Sequence, residues 1–449
     1  MIVPNRFERS LLFVGDIIAL FAALWLMLLV RYGSFTSELF LLHLAPFSIL
    51  FLVWIFVFFI AGLYEKHTVI LKSRIPSLLF STLVVNTVIA IAFFYFVPYF
   101  GITPKTNLFV YLVISFILVL LWRIYGYPLL GSRRKQNALL IGSGSELREL
   151  RDEVNNNSRY SIKFVSSVDL DAVDKLDFKS EVLDTIYSQG IQIVAVDLQS
   201  EKVNPILPHL YNLIYSKVRF IDMYKVYEDI FDRVPLSLLR YNWFLENISL
   251  APKFTYDFLK RVMDVVISIP LLIVPALTLP FAFAAMKLED GGELFSHQKR
   301  VGRNNKPIEL IKFRTMTIGN DDGAWDAKTY ENKVTKTGAF LRKTRLDEFP
   351  QLWNVIRGDI SLIGPRPEFP AAVKEYEKEI PYYSVRHLIK PGLSGWAQIY
   401  GEHPHHGTDM TKTKNKLSYD LYYIKNRSFL VDLKIALHTI RELLSRKGI

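Results

Sequence analysis

Three apolar stretches, 11–30, 44–63 and 78–97, fall within the first hundred positions, and a shorter fourth at 106–122 ends in Trp122. The first three each supply about the ~20 residues a helix needs to cross the hydrocarbon core of a bilayer, and tryptophan is favoured at the membrane interface. Four crossings are expected. Asp16 and Asn86 are the only strongly polar side chains well inside these runs; partners within the bundle or snorkelling explain them without assigning them chemistry. The first run is of spanning length and has no small-residue cleavage site before the next loop, so it is expected to remain as a span.

The flanking charges set an orientation. Arg6, Arg9, Lys66, Lys72, Arg74, Arg123, Arg133, Arg134 and Lys135 lie on one side of the bundle, against Arg31 and Lys105 on the other. The positive-inside rule then puts both ends of the bundle in the cytoplasm. With 449 residues, 51% of them hydrophobic and 14% aromatic, the chain has room for about three domains and is neither disordered nor a small disulfide scaffold. The absence of cysteine excludes disulfides, thiolate zinc sites, iron-sulfur clusters and thiol nucleophiles. Any metal must bind oxygen or imidazole. The net charge is +11, and residues 251–449 hold 31 Lys and Arg against 22 Asp and Glu, so anionic ligands are to be sought at that end.

After Lys135 the pattern changes to short apolar runs at 137–142, 164–168, 191–198 and 218–223, alternating with amphipathic stretches. Such alternation predicts a parallel α/β sheet. Gly142-Ser143-Gly144 follows the first run, where a dinucleotide pyrophosphate would rest on a helix N-terminus, but Leu147 takes the third glycine position. A ligand-free strand-to-helix turn therefore stands beside a cofactor site. Downstream, Tyr256 and Lys260 form a Tyr-x-x-x-Lys pair of the kind found in short-chain dehydrogenases and membrane-bound nucleotide-sugar dehydratases, although Lys260 also fits a membrane-surface anchor. Residues 262–286 are long enough to span but contain Pro270, Pro275 and Pro280, and basic residues flank both ends. Each proline removes a backbone donor and bends a helix. A re-entrant hairpin with both ends cytoplasmic is expected, against a kinked fifth crossing.

The densest chemistry lies in five blocks: Gln298–Gly302, Lys312–Met316, Thr344–Asn354, Gly358–Glu368 and Lys390–Gln398. Thr344 with Asp347 three positions on reads as a helix start of the capping-box kind, where amides and dipole keep a carboxylate ionised. An ionised Asp347 is a candidate covalent nucleophile on phosphorus. Lys312, Arg314, Arg342 and Arg366 are candidate ligands for phosphate oxygens, with Gln298 and Arg300 as further substrate-binding candidates. Magnesium on Glu348, with Asp347 beside it, would neutralise a diphosphate. The plainer alternatives are an ordinary helix start for Asp347-Glu348 and salt bridges for Arg314 and Arg366; Arg366, stiffened between two prolines, is the stronger of the two arginines.

In order and spacing these blocks resemble the bacterial polyprenyl-phosphate sugar-1-phosphate transferases, the monotopic phosphoglycosyl transferases, over about residues 257–449. The two front modules resemble those of the family's large members, the initiating hexose-1-phosphate transferases of exopolysaccharide and O-antigen assembly. The resemblance implies a multidomain membrane protein: a four-helix transmembrane bundle (1–135), a Rossmann-like α/β domain (136–250) and a mainly helical phosphoglycosyl transferase domain (251–449) with a re-entrant membrane helix hairpin. It further implies that Asp347 attacks the β-phosphate of a UDP-hexose, releasing UMP, that Glu348 binds Mg2+, and that undecaprenyl phosphate then takes the sugar phosphate. Glucose and galactose are the favoured sugars. The implied partners are UDP-hexose, undecaprenyl phosphate and membrane lipids at the bacterial inner membrane, with a homodimer left open and no nucleic acid. Two features depart from the family. The hairpin prolines Pro275 and Pro280 lack the usual Ser-Pro pair, and after Gln398 the chain has Gly401-Glu402, followed by His403-Pro404-His405-His406, where the family has a Gly-Arg; the histidines read as a solvated loop in preference to a transition-metal site. The rival readings are an NAD-dependent nucleotide-sugar dehydratase or epimerase and a non-enzymatic assembly scaffold.

Overall fold

The computed structural model describes residues 6–33, 36–64, 75–97, 105–126, 135–157, 160, 162–171, 182–215, 218–248, 253–317, 333–401 and 409–445. The flanking cations Lys66, Lys72, Arg74, Arg133 and Arg134 and the 402–408 loop with its histidines lie outside these residues. The chain divides into two compact units, one of residues 1–143, 147–197 and 202–223, the other of 144–146, 198–201 and 224–449.

The first unit opens with α1 (Arg6–Tyr32), α2 (Ser37–Ile60), α3 (Ile75–Phe96) and α4 (Lys105–Leu121), the last continued by a π-turn at Trp122–Gly126. Among the described residues, four segments here are long and apolar enough to cross a membrane: Ser10–Tyr32, Ser37–Ile60, Leu78–Phe96 and Asn107–Gly126. They match the four runs expected from the sequence. Phe47, Phe51, Trp54 and Tyr111 fill the bundle core, and α1 approaches α4 at Gly15, where a Cβ would come within 1.9 Å of the Trp122 ring. Asp16 has partners inside the bundle. It accepts from Tyr64 Oη at 2.8 Å and from Arg123 Nε at 3.1 Å, while Arg123 Nη1 donates to the Leu63 carbonyl at 2.8 Å. All three side chains are buried, so the charge is met by an opposite charge and a hydroxyl, as an ion in a membrane requires.

The runs after Lys135 become β1 (Gln136–Gly142), α5 (Ser145–Asn156), β2 (Ile162–Asp169), α6 (Asp184–Ser188), β3 (Ile193–Val196), α7 (Leu207–Asn212) and β4 (Arg219–Asp222). The strands form one parallel sheet in the order β2-β1-β3-β4. Its central strands read as continuous apolar runs because both faces are covered: Leu139, Ile141, Val194 and Val196 are fully buried.

The second unit contains most of α8 (Met223–Phe231), then α9 (Tyr241–Asn247), α10 (Phe254–Leu271), α11 (Ile273–Glu289), β5 (Phe295–Val301), β6 (Pro307–Phe313), α12 (Lys336–Lys343), α13 (Gln351–Arg357), β7 (Ser361–Ile363), α14 (Pro370–Glu379), β8 (Gly392–Ser394), α15 (Trp396–Tyr400), α16 (Met410–Asn426) and α17 (Phe429–Ser445). It is mainly helical, with an antiparallel β5/β6 hairpin and a short parallel β7/β8 pair. Helices α10 and α11 meet at a bend of 41°. Pro275 accounts for its position: it lacks the N–H that would reach the Leu271 carbonyl, and its ring clashes with that carbonyl in a continuous helix. The break accordingly falls at Leu272, while Pro280 stays inside α11.

The β7/β8 pair shows why the blocks around it are rich in glycine. A Cβ on Gly392 would lie 2.1 Å from the Gly364 nitrogen, and one on Gly395 2.2 Å from the Gly364 carbonyl oxygen. Only bare backbones pack this closely.

Candidate active site

Glu348 is the centre of the constellation. Its Oε1 accepts from Lys312 Nζ at 2.9 Å and from Arg366 Nη2 at 2.5 Å. Three sequence blocks thus converge on one carboxylate: Lys312 comes from β6, Glu348 from a 3-10 turn at Leu346–Glu348, and Arg366 from the Pro-Arg-Pro segment after β7. Burial alone would raise the Glu348 pKa, but Arg366 and Lys312 outweigh it and hold the carboxyl well below its ordinary range. Lys312 is pushed down by burial, against the pull of Glu348, and Arg366 is pushed up by Glu348.

Asp347 lies beside this cluster with its carboxyl pushed up, chiefly by burial and next by the neighbouring Glu348, against the opposing fields of Lys312 and Arg342. Arg342 is held by donating from Nε to Thr315 Oγ1 at 2.9 Å. Adjacent carboxylates in such different fields have their proton affinities driven apart, the pattern expected where one acid reacts and its neighbour organises charge.

The local geometry corrects the capping-box expectation. Thr344 ends α12 instead of starting a helix: its hydroxyl donates back to the Phe340 carbonyl at 2.8 Å. Arg345 then turns the chain in the left-handed region at φ 55°, and after the short 3-10 turn at Leu346–Glu348 the next α-helix begins only at Gln351. Asp347 therefore does not sit in the first turn of an α-helix, and the net shift of its carboxyl is upward, the opposite of what that position would give. Asn354, fully buried, ties α13 to β6 by accepting from Ile311 N at 3.1 Å and donating to the Glu309 carbonyl at 2.7 Å. This fixes the Glu348 turn against the strand that carries Lys312.

Arg300 and Gln298 sit on β5. Arg300 Nη2 donates to Gln298 Oε1 at 2.8 Å and Nη1 to the Pro367 carbonyl at 3.4 Å, while the guanidinium lies 3.3 Å from the centroid of the Phe369 ring. Burial pushes Arg300 down to about 10.

Arg314 does not join the cluster. Its Nη1 and Nη2 each lie 2.6 Å from an oxygen of Asp290, and Nε donates to the Glu293 carbonyl at 2.6 Å. The salt-bridge alternative describes it, because a planar guanidinium spent on one carboxylate in bidentate fashion has its best donors committed. Arg314→Ala is expected to lower stability by about 2 kcal/mol, read by denaturant unfolding, since the lost contacts are structural.

The Tyr256–Lys260 pair is likewise structural. Tyr256 Oη donates to Asp432 Oδ2 at 2.9 Å and Lys260 Nζ to the same oxygen at 2.8 Å. Asp432 is fully buried and also accepts from Tyr423 Oη at 2.6 Å. Lys260 thus pairs with a buried acid on α17 and is not a free surface anchor. At the start of α5, Glu146 accepts from the Ser237 amide at 3.1 Å, so a carboxylate occupies the first turn where a pyrophosphate would need free amides.

Sequence reasoning missed the charges behind the Pro-Arg-Pro segment. Glu368 pairs with Lys416, and Arg386 with Asp420 at 2.7 Å; Lys416 and Pro367–Glu368 flank the site from α16 and the segment after β7. Burial alone would raise the Glu368 carboxyl, but Lys416 and then Arg386 pull it down to about 2. Nothing in the spacing distinguishes these residues from surface charges.

The donor set also bears on magnesium. Asp347 and Glu348 offer hard carboxylate oxygens, and among the described residues no group of three or more His, Asp or Glu side chains forms a ready cage. Magnesium commonly takes one or two carboxylates and completes its shell with water and substrate phosphate, so these residues fit it.

Residues 255–446 match the family described as bacterial sugar transferase. An uncharacterised sugar transferase of Bacillus subtilis is 39% identical over 191 residues, which is 42% of this chain and 90% of the relative. The chain belongs to the bacterial sugar transferase family. The UDP-N-acetylgalactosamine-undecaprenyl-phosphate N-acetylgalactosaminephosphotransferase of Aeromonas hydrophila is 43% identical over 206 residues, covering 44% of this chain and 47% of that protein. The UDP-glucose:undecaprenyl-phosphate glucose-1-phosphate transferase of Caulobacter vibrioides is 38% identical over 196 residues, 43% of this chain and 73% of that protein. The match thus spans about half the length of the Aeromonas relative, and the family segment 255–446 carries Lys312, Glu348 and Arg366.

Proposed function

We propose that this sugar transferase moves a hexose-1-phosphate from a UDP-sugar to undecaprenyl phosphate and so starts a surface polysaccharide at the bacterial inner membrane. The observation that carries the reading is the meeting of Lys312, Arg366 and Glu348 next to Asp347 in the segment that matches the bacterial sugar transferase family, together with the similarity of the chain to relatives named for that transfer. An Asp347 oxygen would form a bond to the β-phosphorus while the bond from that phosphorus to the bridging oxygen breaks, and UMP leaves with the bridging oxygen. The polyprenyl phosphate oxygen would then attack the same phosphorus and free the carboxylate. Lys312, Arg342 and Arg366 offset the repulsion between carboxylate and diphosphate. Magnesium, held by Glu348 and Asp347, would neutralise diphosphate charge.

One substrate is soluble and the other is confined to the bilayer, so the site belongs at the interface. The 41° bend and the exposed Val266, Ile269, Leu277 and Phe281 on α10 and α11 support a re-entrant hairpin flanked by cytoplasmic cations. A membrane-impermeant label reaching positions before 254 and after 289 from opposite faces would overturn that topology. The parallel sheet supports treating 136–250 as a Rossmann-like domain between the 1–135 bundle and the 251–449 transferase domain. The deciding experiment incubates purified protein and undecaprenyl phosphate with radiolabelled UDP-glucose, UDP-galactose and their N-acetyl forms. Label in organic-extractable lipid with matching UMP release is expected for at least one sugar; no transfer from any of them refutes the reading.

A further inference from the structure

The Pro365–Glu368 segment belongs to no helix or strand, and its two prolines offer no amide. Its course is set instead by what its carbonyls accept. Pro365 O accepts from Gly392 N at 2.9 Å, Arg366 O from Arg386 Nη2 at 2.9 Å, Pro367 O from Arg300 Nη1 at 3.4 Å and Glu368 O from Val301 N at 2.9 Å. Arg386 is the best anchored of these donors. It is 2% exposed, its Nε donates to Asp420 Oδ2 at 2.9 Å and its Nη1 to Tyr383 Oη at 2.9 Å. Asp420 is itself buried on α16. The guanidinium is therefore locked at one end to the helix core and presents its remaining edge to the backbone of Arg366, whose side chain ends 2.5 Å from Glu348.

We propose that Arg386 is a positioning residue for sugar-phosphate transfer: braced by Asp420 and Tyr383, it fixes the Arg366 backbone and thereby the placement of the Arg366 guanidinium on Glu348. This rests on the transfer reading above and adds to it a residue that reaches the reacting groups only through another. A charge-conserving Arg386→Lys change keeps a cation for Asp420 but cannot also serve Tyr383 and the Arg366 carbonyl, because an ammonium lacks the planar fork.

The test is a double-mutant cycle in the purified full-length protein. Arg386→Lys is expected to slow turnover by about 10²-fold, the scale of an ångström-level misplacement, with KM for UDP-sugar changed less than about threefold. In an Arg366→Ala background the same change should cost less than about threefold more, since residues acting through one another do not add. Full additivity overturns the proposal, as a separate structural role would give it. If Arg386→Lys does not fold, Tyr383→Phe, which removes one brace only, carries the same cycle with an expected loss of severalfold. A second readout is independent of transfer. The 15N guanidinium signal of Arg366, assigned by its loss in Arg366→Ala, should show hindered rotation in the unmodified protein and lose it in whichever brace variant folds; an unchanged signal overturns the proposal. Absence of transfer by the unmodified protein speaks against the function reading alone, and the Arg366 signal still decides this one.

Discussion

Asp347→Asn is expected to abolish lipid-linked sugar formation and UMP release, a loss of about 10⁴-fold or more, as for removal of a catalytic nucleophile elsewhere. The amide is nearly isosteric with the carboxylate, but it brings no charge and is a poor nucleophile. The same substitution should not destabilise the protein. Burial and Glu348 push the Asp347 carboxyl up, so its charged form is disfavoured by folding. An acid raised on folding costs stability above its unfolded pKa and regains it as pH falls through the raised folded value. Removing the charge at neutral pH should therefore leave the unfolding temperature equal or higher. In the unmodified enzyme, transfer should fall on the acid side at a pH above that of a free aspartate, because the nucleophile must be ionised. Retained turnover by Asp347→Asn, or an acid limb at or below the free-aspartate value, would contradict the assignment.

Glu348→Gln should show the opposite signature, losing both activity and stability. Lys312 and Arg366 both converge on the Glu348 carboxylate, and a neutral amide leaves two partly buried cations facing each other. Breaking a buried pair costs several kcal/mol, and partial exposure of Arg366 reduces this to about 2 kcal/mol. Transfer should fall by about 10²-fold, with magnesium half-saturation moved to higher concentration. The pH dependence has a definite sign. Glu348 is depressed in the folded state, so its contribution is present above the unfolded carboxylate value, about 4.3, and is lost as pH falls below it toward the folded value. The Gln variant should lack that part of the acid-side loss in thermal unfolding. An unchanged metal requirement and an unchanged melting profile would remove Glu348 from its proposed place.

The membrane spans were legible because length and apolarity alone decide them, and the parallel strands because fully covered strands read as apolar runs. Of the site residues, Lys312, Glu348 and Arg366 were identified as blocks, but their convergence on one carboxylate depends on a turn at Arg345 that no periodicity announces. Thr344 misled for a physical reason: threonine can cap a helix start or bond back at a helix end, and the three-residue spacing to Asp347 is the same in both cases. Arg314 misled because its partner Asp290 is 24 residues away, so the pairing exists only once α11 and β6 have packed. Arg386 and Asp420 went unseen because a buried ion pair and two surface charges look alike in sequence.

The Asp16–Arg123 pair joins the first span to the end of the fourth, with more than a hundred residues between. The acid leaves the ribosome long before its cation does. The pair can therefore close only once the fourth helix has been made. A nascent chain cut short of residue 123 lacks the cation that Asp16 pairs with in the finished bundle.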